Sequence, residues 1–399
     1  MHKFLLTLLS VSLFYYSNAQ TEIDALRFSR NDIVGTARFS AMAGAYGALG
    51  ADFTTLSYNP AGIGFYQFSE LTFTPSFGNM IATSYFGGGR NEDEKYHSNF
   101  SNFGYVVSSP KSGNEWKRLN LAFGYNRTAN YKKRIFISGE NTNTSMIDNF
   151  VANAQGNTIG NLNSFTELLA WNTYLFDPLD TIDNGNYISK LNSSLSKKQE
   201  KVINSSGSAG EYVFSVGTSY EDRIYLGATI GIPRINYYEK STYTESEFTD
   251  TAAHLQSFDY TEELSTTGKG FNLKVGVIAR LNDWVRLGGA FHSPTFYNMT
   301  ENGMEDEYST AMTVVWNDTL GTMYDSSPFG YFNYELKTPW KAIGSVAINI
   351  KKKGIITADI EIVDYASAKF NSDTYKFADE NDVINSLYTK ATNIRLGGE

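Results

Sequence analysis

From Phe68 onward the chain repeats every two residues. Leu119, Leu121, Phe123 and Tyr125 are interleaved with Asn120, Ala122, Gly124 and Asn126, and Tyr212, Phe214, Val216 and Thr218 with Val213, Ser215, Gly217 and Ser219. The same beat runs through Ile224–Pro233, Phe271–Leu281 and Ile355–Ile362. A period of two places alternate side chains on opposite faces of a strand. One face is mostly apolar, and the other mixes small, polar and charged residues. A soluble sheet turns its polar face to water, whereas a membrane barrel turns its apolar face to lipid and its polar face to the lumen. Periodicity alone does not separate the two.

Connection lengths do. Tyr220-Glu221-Asp222, Asn282-Asp283 and Lys351-Lys352-Lys353-Gly354 are tight turns, and long polar segments near 128–210, 237–268, 294–335 and 366–391 fall between them. Short turns at one end and long loops at the other are the habit of transmembrane barrels, and a globular domain rarely carries so many long loops. The fold class expected is therefore all-β, a transmembrane antiparallel β-barrel. Strands are expected over 68–80, 99–109, 117–127, 211–220, 223–233, 269–281, 284–293, 338–350 and 354–365, with another beginning near 392. Most reach the length needed to cross the hydrocarbon layer at a tilt. The chain stops at Arg395-Leu396-Gly397-Gly398-Glu399, in mid-strand and on a charge, so C-terminal strands are expected to be missing.

The first residues read as an export signal. Lys3 leads into an apolar run from Phe4 to Tyr16, and Ser17 and Ala19 fit cleavage before Gln20. The expected division is signal peptide 1–19, an N-terminal segment 20–67 and barrel 68–399, in the outer membrane of a Gram-negative bacterium. Composition agrees. Of 399 residues, 15% are aromatic, 34 are glycine and none is cysteine. Without cysteine there is no thiol chemistry, disulfide framework or lipoprotein anchor. A formal charge of −9 argues against a nucleic-acid partner. Outer-membrane lipid is an expected partner of such a barrel, with the chain a monomer.

Before the alternation begins, Arg38–Leu49 is rich in small residues, with Phe39, Met42, Ala43 and Tyr46 at helical spacing, while Asp24–Asp32 reads as irregular. A turn-rich stretch, Asn59-Pro60-Ala61-Gly62-Ile63-Gly64, follows. The run Gly35–Gly50 leading into Leu56–Gly62, the strands around Thr267–Gly276 and Arg286-Leu287-Gly288, and Lys337-Thr338-Pro339-Trp340 with Ala358–Glu361 and Asp364-Tyr365 together resemble the FadL-type outer-membrane transporters of long-chain fatty acids and aromatic hydrocarbons. The resemblance spans about 35–365 and excludes the loops. It implies a fourteen-stranded barrel plugged by an N-terminal hatch. It also implies passive, hatch-gated transport of hydrophobic molecules, caught by extracellular loops and released sideways through the wall.

On that reading Phe53, Leu56, Tyr58, Asn59, Pro60, Ala61, Gly62 and Phe65 are the candidate ligand-binding and gating residues. Trp171, Tyr174, Leu175 and Phe176, in the longest loop, are candidates for ligand capture, and Leu168–Leu175 has the spacing of a short amphipathic helix. Packing of the loop against itself is the alternative. The charges expected to face the lumen are Arg223, Lys274, Arg280, Arg286, Asp359, Glu361 and Arg395. No nucleophile motif accompanies His97, His254 or His292, so no enzyme, catalytic residue, metal site or cofactor is expected. A haem or haemin receptor on the same barrel, ligated through His97, His254 or a loop tyrosine, is the runner-up, and a plugged structural porin the third reading.

Overall fold

The computed structural model describes residues 21–111, 115–180, 185–302, 309–317, 320–350 and 353–399. The expected signal peptide and part of the 351–354 turn lie outside them. The chain forms strands β1 (Glu70–Phe86), β2 (Gly89–Pro110), β3 (Trp116–Asn130), β4 (Lys133–Asn141), β5 (Phe176–Pro178), β6 (Tyr187–Ser189), β7 (Lys197–Tyr220), β8 (Ile224–Ser246) and β9 (Leu255–Arg280). It continues with β10 (Val285–His292), β11 (Phe296–Asn302), β12 (Thr310–Trp316), β13 (Thr322–Ser326) and β14 (Tyr331–Lys337). The last are β15 (Lys341–Asn349), β16 (Ile355–Asp364), β17 (Lys369–Asn371) and β18 (Lys390–Gly398). A curled antiparallel wall runs in the order β1-β2-β3-β7-β8-β9-β10-β15-β16-β18. Beyond β10, the line of the wall is carried on by β11 against the middle of β9, then by β14 and β17. Among the described residues no ladder joins β1 to β18.

The outer face decides between sandwich and barrel. Leu121, Phe123, Phe214, Val275, Ile360 and Leu396 are exposed, and they belong to the apolar set of the alternation. So broad an apolar surface is untenable in water and is what lipid requires. The partners between them, such as Asn120, Val213, Ser215 and Asp359, are buried inside.

The strands run further than expected. All the anticipated strands are present, but most of 237–268 and both ends of 128–210, read as loops, continue β3, β7, β8 and β9, with β4 paired to β7. Polarity was the misleading signal. Above the apolar belt both faces of these strands meet water or loop, so alternation disappears while Thr, Tyr and Val keep the backbone extended. There Leu255, Phe258 and Tyr260 of β9 join Ile147, Phe150, Leu169, Leu175 and Phe176 in a separate hydrophobic core. It contains α3 (Met146–Ala154) and α4 (Glu167–Asn172), the latter where loop spacing anticipated a helix.

The N-terminal segment also departs from expectation. The irregular stretch is helix α1 (Glu22–Ser29), closed by a capping box between Thr21 and Asp24. The small-residue helix is only α2 (Ala37–Ala41), because the backbone turns left-handed at Ala43 and Gly44. Two 3-10 turns follow, Phe53–Ser57 and Pro60–Phe65. This segment lies against the inner wall, and glycine lets it approach. A methyl at Gly227 of β8 would strike the carbonyl of Pro60, and one at Gly276 of β9 the amide of Asn59.

Candidate functional site

Asn59 organises the turn that seats on the wall. Its Oδ1 accepts from Ala61 N at 3.1 Å, capping the second 3-10 turn, while its Nδ2 donates to Gly47 O at 2.6 Å. One side chain thus ties three parts of the segment together. Pro60 opens that turn, where no backbone donor is needed. Ala61 packs on Tyr225 and Ile278 of the wall, and Phe65 stacks on Tyr225 with ring centroids 3.6 Å apart. Phe53 and Leu56 are buried with Ile63, Val106, Ala122 and Val213. A Cβ at Gly62 would meet Thr55. These candidates therefore grip the wall, and Tyr58 lines a cavity.

Charged wall residues hold the same segment. Asp359 accepts from Gly47 N at 3.0 Å, and Arg286 donates to Leu49 O at 3.1 Å while lying over the Phe65 ring. Arg395 hydrogen-bonds the Tyr58 hydroxyl and pairs with Glu361 at 3.3 Å. Burial pushes the Tyr58 phenol far above its ordinary range, Asp359 adding to the shift and Arg395 opposing it, so it stays a neutral hydroxyl. His292 Nε2 lies 2.7 Å from Tyr58 O. A carbonyl only accepts, so Nε2 carries the hydrogen. Lys274 and Glu211 form an ion pair with both side chains buried. Arg280 instead pairs with exposed Asp283 at the turn, and Arg223 sits in the neighbouring turn.

Two small cavities, about 50 and 40 Å³, lie beside the N-terminal segment, the first against Thr54 and Ser57 of the first 3-10 turn and the second against Phe28 and Ser29 of α1. Asn31, Thr128, His292 and Lys341 line both. The first adds Tyr58, Glu361 and Arg395, and the second Glu211, Lys274, Pro233, Thr295 and Pro339. This is room for a few waters. An elongated apolar molecule would need several hundred Å³, more than either cavity offers. Asn31, Thr128 and Lys341 were not anticipated. The signal for Lys341 was available, since it shares the inward parity of Ile343, Ser345 and Ala347.

The second cavity meets the wall where its strands are interrupted. Residues 293–295 separate β10 from β11, and 338–340 separate β14 from β15. Pro233, Pro294 and Pro339 stand here without N–H donors. Side chains stitch the breaks: Leu273 N donates to Ser293 Oγ at 2.9 Å and Thr295 N to Thr338 Oγ1 at 3.0 Å.

In the loop region Leu175 and Phe176 are buried in the core there, leaving them no surface to offer a ligand in this conformation. Trp171 packs edge-on to Tyr187, and Tyr174 is exposed beneath the Lys190 ammonium. His97 lies on β2 against Gly78, and His254 ends a 3-10 turn after Ala253.

No family model matches the chain, and no curated protein does. Solved structures do. The Pseudomonas putida toluene transporter TodX superposes with a TM-score of 0.46 at 10% identity, over 86% of this chain and 75% of its own. In fold, the chain resembles these transporters. The CymD monoaromatic hydrocarbon channel gives 0.42 at 9% identity over 92% and 76%, and a Pseudomonas aeruginosa FadL homologue 0.35 at 12% over 84% and 81%.

Proposed function

We propose that the chain is a FadL-type outer-membrane transporter that passes hydrophobic small molecules, long-chain fatty acids among them, by passive diffusion. On this reading residues 20–67 are the gate. The single observation that carries it is the combination of an exposed apolar outer wall with an N-terminal segment filling the space inside. The wall suits lipid, while the filled interior excludes an open aqueous pore. Loops at the long-loop end face the exterior, as in other barrels.

Asn59 is the hinge of the gate, because its amide joins Gly47 and Ala61 and breaking either bond frees the turn. The proline-rich breaks beside the second cavity are the side exit. An apolar ligand leaving there for lipid gains roughly 25 cal/mol per Å² of buried surface, so no external energy source is required.

The test uses the full-length protein in liposomes, with uptake of labelled oleate and toluene compared with glucose. Saturable oleate or toluene uptake, reduced several-fold by Asn59→Ala while heat-modifiable migration on gels is retained, is expected. Uptake no faster than in protein-free liposomes would defeat the transport reading, and unchanged uptake in the variant would defeat the gate. Haemin binding alone, with a Soret shift lost on changing His97 or His254, would replace the reading with a haem receptor.

A further inference from the structure

A row of cations crosses the outer face just above the apolar belt. Arg127 of β3 pairs with Gly210 of β7, Gly210 with Arg234 of β8, and Arg234 with Lys269 of β9. Two strands further on and one step lower, Lys337 of β14 lies opposite Lys369 of β17, while Glu335 is level with Lys269 and takes a hydrogen bond from Asn371. Arg234, Lys269, Lys337 and Lys369 are all exposed. The parity is that of the lipid-facing set: Arg234 follows Ile230 and Ile232, and Lys269 precedes Phe271 and Leu273.

Like charges directly opposite one another across a ladder are destabilising. Here the arrangement occurs twice, at Arg234–Lys269 and Lys337–Lys369, in a chain whose formal charge is −9. Among the described ion pairs none involves these four residues. One cation of each pair lies over a ring, Arg234 over Tyr212 and Lys337 over Phe296, each ring at the top of the belt. Trp340 stacks on Phe291 close by. Aromatic rings with cations immediately above them mark the level where acyl chains give way to headgroups. The long loops put this level in the outer leaflet.

We propose that this row binds the phosphate groups of an anionic glycolipid in the outer leaflet, with acyl chains lying on the apolar strands below. Each opposed pair holds one phosphate between two cations, which removes the repulsion and supplies charge-assisted hydrogen bonds. The row holds the barrel at a fixed depth, independent of what passes through the lumen. The inference rests on the wall spanning the membrane, which heat-modifiable migration and liposome insertion test separately.

The experiment is native mass spectrometry of the full chain in detergent, titrated with diphosphorylated lipid A, the same lipid stripped of its phosphates, and inorganic phosphate. Lipid A adducts that survive at least about tenfold better than those of the stripped lipid are expected, with the preference falling as salt rises. Arg234→Gln with Lys269→Gln should reduce it several-fold, and adding Lys337→Gln and Lys369→Gln should abolish it. Arg234→Lys, which keeps the charge, should bind nearly as well and serves should the neutral variants misassemble. Equal adducts with and without phosphates, or with and without the cations, would overturn the proposal. Binding of inorganic phosphate as strong as that of lipid A would equally overturn it in favour of a free-anion site.

Discussion

The two ends of the N-terminal segment are held in different ways. At the short-turn end, residues 47–66 sit backbone to backbone on the wall, admitted by Gly227 and Gly276 and fastened by Asn59, Asp359 and Arg286. At the long-loop end α1 is held by rings. Phe28 meets Tyr131 and Tyr237 edge-on at 6.1 and 6.0 Å, and Arg27 lies over Tyr237 at 4.4 Å. Tyr388, just past α5 (Ala378–Leu387), donates to Glu22 O at 3.0 Å. Shape fixes the lower end, where any added atom is felt. Side-chain contacts fix the upper end, where removing one group frees a helix. The difference predicts that the upper end yields first.

The largest effect should come from between the ends, at Lys274–Glu211 beside the second cavity. Lys274→Met leaves Glu211 buried without its partner and should cost about 3–5 kcal/mol. The double replacement Lys274→Met with Glu211→Met should recover most of that, read as thermal unfolding in detergent. If the single and double variants melted alike, the pair would have no bearing on the seating of either end.

Phe28→Ala comes next. Removing this ring from the cluster with Tyr131 and Tyr237 should cost about 3 kcal/mol locally. The comparison is sharpened if hydrogen exchange rises across residues 22–30 and leaves 47–66 protected. Uniform deprotection of both ends would show that they move as one body. Gly276→Val should give the reverse pattern at a cost of about 1–3 kcal/mol, because the larger side chain drives Asn59 off the wall. Its signature is loss of protection in 47–66 with α1 unchanged.

Much of the wall was legible in the alternation, because each strand inside the belt has lipid on one side and the lumen on the other. The reading failed wherever that contrast vanished. Gln199 and Thr242 belong to regular ladders, yet nothing in a polar run distinguishes a paired strand from a loop. The N-terminal candidates show a second limit. Pattern picked out Asn59, Pro60 and Phe65 as special, and they do carry the seating contacts. What they rest on depends on partners more than 150 residues away, Tyr225 for Phe65 and Val277 for Asn59, and Lys341 reaches the cavity beside Tyr58 from a strand still further along. Only the folded wall brings these together. The belt glycines illustrate the point, since a glycine in a strand signals close approach without saying what approaches.

The smallest effect concerns Asp24, which separates charge from shape at the upper end. Its carboxyl is buried on α1, and that burial raises its pKa above the ordinary 3.8, with Arg27 opposing and Glu239 and Glu22 adding to the rise. A carboxyl whose pKa is higher folded than unfolded binds its proton more tightly in the folded state. Its stabilising contribution is therefore complete below 3.8 and is lost as pH rises through the raised value. The seat of α1 should tighten on acidification and loosen toward neutrality. Asp24→Asn keeps the shape, removes the titration and should flatten the pH dependence of exchange in residues 22–30. A pH dependence that survives in the variant would place its origin outside this carboxyl, and the upper end would then be set by the wall around α1 rather than by Asp24.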